Sequence, residues 1–332
     1  MFSARDKGGA FRERTWPKAP LRASLRTMDL AASPPADACS LPVLPRWIRS
    51  GGGAETSDYA VFSVGAALAV LDPVARADDP VGSLWRQRLA LQTATAVSTL
   101  EGRRERAAQL RDALALTRPG DDPGPAGRML AGWRFLGEAR ALRAADWPTR
   151  LPAAFDLPAA PLRDLLGGLG ARLVGRSLPP RFAAEAAAEV LALGPAHRGL
   201  ALWLADAALA RALGWTRPVP LLAAHLPRAA FRLQGAAWLA ACAGAWGRGA
   251  VAALDLHADL TRRADRLRGA APKLRSKDAD ATLARLLTED ALPAQAGARA
   301  SDRAARRLFE RLVALGAVRE LTGRASFRLY GL

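Results

Sequence analysis

Ser301-Asp302-Arg303-Ala304-Ala305-Arg306-Arg307-Leu308-Phe309-Glu310-Arg311-Leu312-Val313-Ala314-Leu315-Gly316 is the most informative stretch of the chain. With about 100° of turn per residue, Arg303, Arg306, Arg307, Glu310 and Arg311 share one arc of a helix. Ala304, Ala305, Leu308, Phe309, Leu312, Val313 and Leu315 are expected on the opposite arc. Ser301 or Asp302 can accept the first free backbone N–H groups, and Gly316 stands where a left-handed C-cap belongs. Two short strands should follow, Ala317–Leu321 and Ser326–Tyr330, around the turn Thr322-Gly323-Arg324-Ala325. A basic-faced helix followed by a hairpin is the layout of a winged helix-turn-helix.

Upstream, Pro272-Lys273-Leu274-Arg275-Ser276-Lys277 reads as a basic hinge. Ser276 caps a helix to about Glu289, and Asp290–Ala294 turns toward the terminal helix. Residues 273–332 are therefore expected to form a small winged-helix domain holding the only β structure. Residues 54–272 show helical periodicity throughout and predict a multi-helix domain, so the fold class is mainly α. Expected helices run from Asp58 to near Pro73, Val81–Leu100, Arg103–Leu116, Pro125 to about Leu142, Leu162–Val174, Phe182–Leu193 and Leu200–Leu213. A long one spans Ala229 to about Arg268. Trp147–Pro161 reads as a Pro-rich link. Residues 1–53 mix Arg, Pro and Gly without a period and read as a disordered leader and linker, with Met28 an alternative start.

The 332 residues carry a formal charge of +17, which favours polyanionic partners, nucleic acid foremost. Arginine is spread over the whole chain, so the local balance matters more. Residues 299–332 hold eight Arg against three acidic residues, including Arg319, Arg324 and Arg328 in the hairpin. Cys39 and Cys242 supply neither a disulfide framework nor a Cys-based metal site. The start lacks the apolar core of a signal peptide, and no uncharged run is long enough to cross a bilayer. The expectation is a cytoplasmic protein with no membrane partner.

No Gly-rich phosphate loop and no G-x-S-x-G elbow occurs, and His197, His225 and His257 lack metal-ligand spacing. The one loop with site-like chemistry is Arg118-Pro119-Gly120-Asp121-Asp122-Pro123-Gly124-Pro125-Ala126-Gly127-Arg128. Arg118, Asp121, Asp122 and Arg128 there can bind a polar ligand or cation. The plainer reading has the aspartates cap the next helix and pair with the arginines. No cofactor, metal or catalytic residue is expected.

Several blocks resemble a bacterial family without assigned activity, domain-of-unknown-function family 1403. They are Val64–Leu68, Trp85–Leu91, Leu116–Arg128, Leu202–Asp206, Pro218–Ala223, Ala271–Arg275, Arg306–Leu312, Val318–Arg324 and Phe327–Leu332. The resemblance spans roughly residues 54–332 and implies no catalytic residue, because the family has none assigned. A further resemblance, to bacterial proteins that join a helical domain to a C-terminal helix-turn-helix, implies DNA as ligand.

The expected function is double-stranded DNA binding, as a transcriptional regulator or mobile-element accessory factor, through Arg303, Arg306, Arg307, Arg311, Arg324 and Arg328. The alternative is a helical interaction scaffold whose winged domain docks a partner or forms a homodimer. An enzyme using the Arg118–Arg128 loop ranks last.

Overall fold

The computed structural model describes residues 44, 45, 48, 57–138, 147–173, 181–274, 279–294, 302–322 and 327–332. Most of the expected leader, residues 1–43, lies outside the described residues. Within the expected linker, Leu44 and Ile48 are buried in the core. Ile48 N donates to Pro45 O.

Helices dominate: α1 (Ser57–Arg76), α2 (Pro80–Leu100), α3 (Ala107–Ala115), α4 (Gly124–Leu136), α5 (Trp147–Ala154), α6 (Arg163–Leu173), α7 (Arg181–Leu191), α8 (Arg198–Ala212), α9 (Gly235–Ala270), α10 (Ala279–Thr288) and α11 (Asp302–Ala314). The β structure is β1 (Leu292–Pro293), β2 (Arg319–Glu320) and β3 (Leu329–Gly331). Several expectations need correction. Helix α4 ends at Leu136, with Gly137 as its C-cap, rather than near Leu142, and α9 begins at Gly235, after a separate 3-10 turn Arg228–Arg232, rather than at Ala229. Helix α1 continues past Pro73, which removes only the bond its own N–H would have made, and Ala77 N closes the end on Pro73 O. Helix α5 occupies half of the expected Pro-rich link: Pro148 sits in its first turn, where no N–H is needed, and Pro152 in its last. Helix α3 starts at Ala107 rather than Arg103: Arg106 is its extended N-cap residue, and Arg106 N donates to Gln109 Oε1 (3.0 Å).

The 36-residue α9 lies against α1, α2 and α7. Tryptophans staple these contacts by donating their indole N–H across helix pairs. Trp85 bonds Ala253 O (α2 to α9), Trp238 bonds Ala184 O (α9 to α7), and Trp203 bonds Gly132 O (α8 to α4), each at 2.8–2.9 Å. Each ring thus buries a large apolar area while its one polar atom stays satisfied. Arginines do a parallel job at helix C-termini, where carbonyls lack partners and the dipole is negative. Arg86 donates to Ala75 O (2.6 Å), Arg76 to Gly214 O (3.1 Å) and Arg211 to Leu173 O (2.8 Å). Much of the basic composition is thereby spent on architecture.

His257 shows how context replaces spacing. Its Nε2 lies 3.0 Å from Asp79 Oδ2, while Asp79 Oδ1 caps α2 through Val81 N. Asp259, its neighbour in sequence, instead pairs with Arg263 (2.7 Å). Among the described residues no group of three His, Cys, Asp or Glu can hold a metal ion, and no helix is long and apolar enough to cross a membrane.

Asp206 is buried in α8. It accepts from Leu221 N (2.9 Å), Leu222 N (3.2 Å) and Trp246 Nε1 (2.9 Å), fixing the chain where it leaves Pro218-Val219-Pro220. Burial pushes its carboxyl up to about 7 against the pull of those donors. Between about pH 4 and pH 7 the unfolded chain has released this proton while the folded one keeps it, so this group costs stability as pH rises. We expect the unfolding free energy of the parent minus that of Asp206→Asn, from urea titrations, to fall across this window and level off above it.

Candidate nucleic-acid interface

Helix α11 divides cleanly. Ala305, Leu308, Phe309 and Leu312 are buried, while Arg303, Arg306, Arg307, Glu310 and Arg311 are exposed. The expected apolar arc is narrower than sequence spacing suggested. Ala304 is exposed, and Val313, 41% exposed, lies on the arginine side of the boundary. Four buried positions about 100° wide suffice to seat one helix on a small sheet. The end of α11 is a Schellman motif: Gly316 has φ +64, its N–H bonds Val313 O (2.9 Å), and Ala317 N bonds Leu312 O (3.0 Å).

The chain then enters β2. Strands β2 and β3 pair antiparallel, with Arg319 opposite Gly331 and Glu320 opposite Tyr330. A third strand has no counterpart in the sequence expectations: β1 pairs with the other edge of β3, placing Leu292 opposite Tyr330. Two residues ending in Pro293 leave no alternation to detect, and only the neighbouring strand makes them β. The Tyr330 ring stacks on Phe309 at 4.6 Å, joining the sheet to the buried side of α11.

The side chains of Arg303, Arg306, Arg307 and Arg311 are exposed and make no hydrogen bond or ion pair to another described residue. Arg328 differs, since its Nη1 lies 3.6 Å from Glu320 Oε2 across the hairpin. Arg324 lies outside the described residues.

One carboxylate seats this tail on the helical body. Asp290, between α10 and β1, has no exposed surface. Arg88 of α2 reaches Oδ1 (2.6 Å), Arg111 of α3 reaches Oδ2 (2.8 Å), and Arg134 of α4 reaches Oδ2 (3.2 Å). Arg88 also donates to Leu332 O (2.9 Å), and Gln87 bonds both Asp290 N and Thr288 O. Burial would raise the Asp290 carboxyl, but the three guanidiniums outweigh it and hold it below its ordinary value. Gly331 is required beside it, because a Cβ there would collide with Asp290 O. Sequence reasoning missed all of these residues, since Asp290 lies 156 or more positions from each arginine and no local pattern announces the meeting.

The Arg118–Arg128 loop closes on itself. Asp122 Oδ1 accepts Gly124 N (3.0 Å) at the start of α4, and its other oxygen pairs with Arg128. Arg128 also binds Asp156 (2.6 Å), itself 3.9 Å from Arg103. Gly120 and Gly124, at φ +103 and +68, make the bends. Neither aspartate is the N-cap, which is Pro123: Asp122, one position earlier, accepts the first helical N–H, and the side chains of Asp121 and Arg118 are exposed and outside this pairing. Nearby Glu101 is pushed up to about 7 by burial.

Fold and site together define a mainly α-helical protein carrying a small three-stranded antiparallel sheet against a basic-faced helix. The chain belongs to the family described as protein of unknown function, DUF1403, whose model matches residues 33–332. A search of curated proteins found no match.

Removing the Asp290 carboxylate should leave three guanidiniums without their common partner. We expect Asp290→Ala to cost about 3–5 kcal/mol in urea unfolding. Phe309→Ala should cost a similar ~3–5 kcal/mol through the cavity left under Tyr330.

Proposed function

We propose that the protein binds double-stranded DNA through the exposed face of α11, as a regulator or accessory factor of DNA transactions. The observation carrying this reading is the set of four exposed arginines, unengaged by other described residues, on a helix whose opposite side is anchored by Leu308, Phe309 and Leu312. Other arginines, among them Arg76, Arg86, Arg88 and Arg128, cap carbonyls or bind carboxylates, and exposed ones such as Arg104, Arg118 and Arg266 stand scattered over separate elements. On α11 the arginine donors remain for phosphates and, in a major groove, for guanine edges. The four are spaced over about 12 Å of helix, a length that fits within the groove.

A winged helix-turn-helix is the finer reading of residues 273–332. Support comes from the order α10, β1, α11, β2, β3 and the strand arrangement β1–β3–β2. Residues 295–300, between β1 and α11, lie outside the described residues. In this reading α11 is the recognition helix and Arg328 belongs to the wing.

A second reading, docking of a protein partner or a second copy, draws on Val313, an exposed aliphatic residue beside the basic face. Salt separates the two. Binding to phosphates releases counterions and weakens steeply as salt rises, whereas apolar docking does not.

Arg303→Ala/Arg307→Ala should retain the parent's melting temperature within error, because exposed arginine contributes little to stability. Its affinity for duplex DNA, read by fluorescence anisotropy, should fall by about 1–3 kcal/mol per base-reading arginine. The salt slope should shrink by about one for each phosphate that is no longer neutralised. Binding by the double variant that matches the parent at every salt concentration would remove α11 as the reading element.

A further inference from the structure

Phe327 is the most exposed large apolar side chain among the described residues, at 67%. Its backbone has φ +55, a left-handed conformation that bulky aromatic residues rarely adopt and that Gly or Asn would adopt readily. Two unfavourable features thus coincide: an apolar ring held in water and a backbone that penalises its own side chain. Folding does not require the ring, since it covers no core. The chain that follows it is anchored. Leu329 and Tyr330 are buried and Tyr330 stacks on Phe309. Leu321 N bonds Leu329 O, and Leu329 N bonds the Thr322 hydroxyl. Phe327 therefore stands two residues ahead of an anchored strand.

The surroundings identify what the ring meets. Three residues of extended chain place Phe327 within about 10 Å of Tyr330, hence beside the sheet that carries α11. Residues 302–322 and 327–332 hold six arginines against three acidic residues, and Arg328 is the immediate neighbour. An aromatic ring set among cations at the edge of a nucleic-acid surface can stack on a base or wedge open a base step, while the cations hold the phosphates.

We infer that Phe327 is a DNA-contacting residue of the hairpin, inserting its ring at a base step of the duplex held by the α11 arginines. This rests on the proposed function above. It adds an interaction that is apolar, insensitive to salt and disruptive to base stacking, unlike any made by arginine.

The test uses the full chain and a mixed-sequence duplex, with Phe327→Ala, Phe327→Tyr and Phe327→Gly. Affinity is read by anisotropy over a salt series, unstacking by permanganate reactivity of thymines, and folding by thermal melting. Phe327→Ala should lose roughly tenfold in affinity with the parent's salt slope, and the protein-induced thymine reactivity should disappear. Phe327→Tyr should keep both. Phe327→Gly should melt higher than the parent, because the left-handed backbone suits glycine, yet bind as poorly as Phe327→Ala. If the parent binds DNA and Phe327→Ala matches it in affinity and thymine reactivity, this inference is overturned while the proposed function stands. If the parent binds no duplex at low salt, the proposed function fails and this inference with it. If sedimentation shows a parent dimer that Phe327→Ala dissociates, the ring is a self-association element and the inference is overturned.

Discussion

A carboxylate with no solvent contact must find its compensation inside the protein, and Asp290 finds it in arginines from three different helices. Each ion is costly to bury alone, so the four groups are held only if α2, α3 and α4 present Arg88, Arg111 and Arg134 at one point. That requirement links elements far apart in the chain. It fixes the approach of α10, and β1 begins two residues later. The sheet, and α11 through Phe309 and Tyr330, are positioned as a consequence. Whatever face α11 presents is thereby presented in one orientation relative to the body.

The same chemistry explains why total charge is a poor guide to binding surface in this protein. Arg76, Arg86 and Arg211 spend their donors on helix C-terminal carbonyls, and Arg103 and Arg128 on Glu105, Asp122 and Asp156. A guanidinium has five donors in a planar fork, so it suits closing frayed helix ends in an alanine-rich bundle that offers few other polar side chains. What separates α11 is that four exposed arginines gather on one face, with Glu310 the one carboxylate among them, opposite a narrow buried seam. Tryptophan plays the complementary part inside, filling helix contacts while donating one hydrogen bond apiece.

The loop that looked most like a site illustrates the converse. Arg118–Arg128 gathers charge and glycine, yet Asp122 and Arg128 meet each other and Asp156, with a backbone N–H taking the remaining Asp122 oxygen. Bend-forming glycines and the Asp122 turn explain half of that pattern, while Arg118 and Asp121 remain exposed. Membership of the DUF1403 family covers this loop and the tail alike.

Helix class was legible from the sequence because the 3.6-residue period is local: the buried seam Ala305, Leu308, Phe309, Leu312 and the Gly316 cap follow from neighbours within one or two turns. The arginine face of α11 was legible for the same reason. The exposure of Val313 was not, since the width of a buried arc depends on the partner surface, here a sheet of two- and three-residue strands. Nor was β1, whose Leu292-Pro293 becomes a strand only because β3 lies beside it. The Asp290 cluster, the tryptophan staples and the Asp206 anchor join residues tens to hundreds of positions apart. Local periodicity carries no information about such meetings; they arise when the packing of helices removes water and leaves each buried polar group to find a partner.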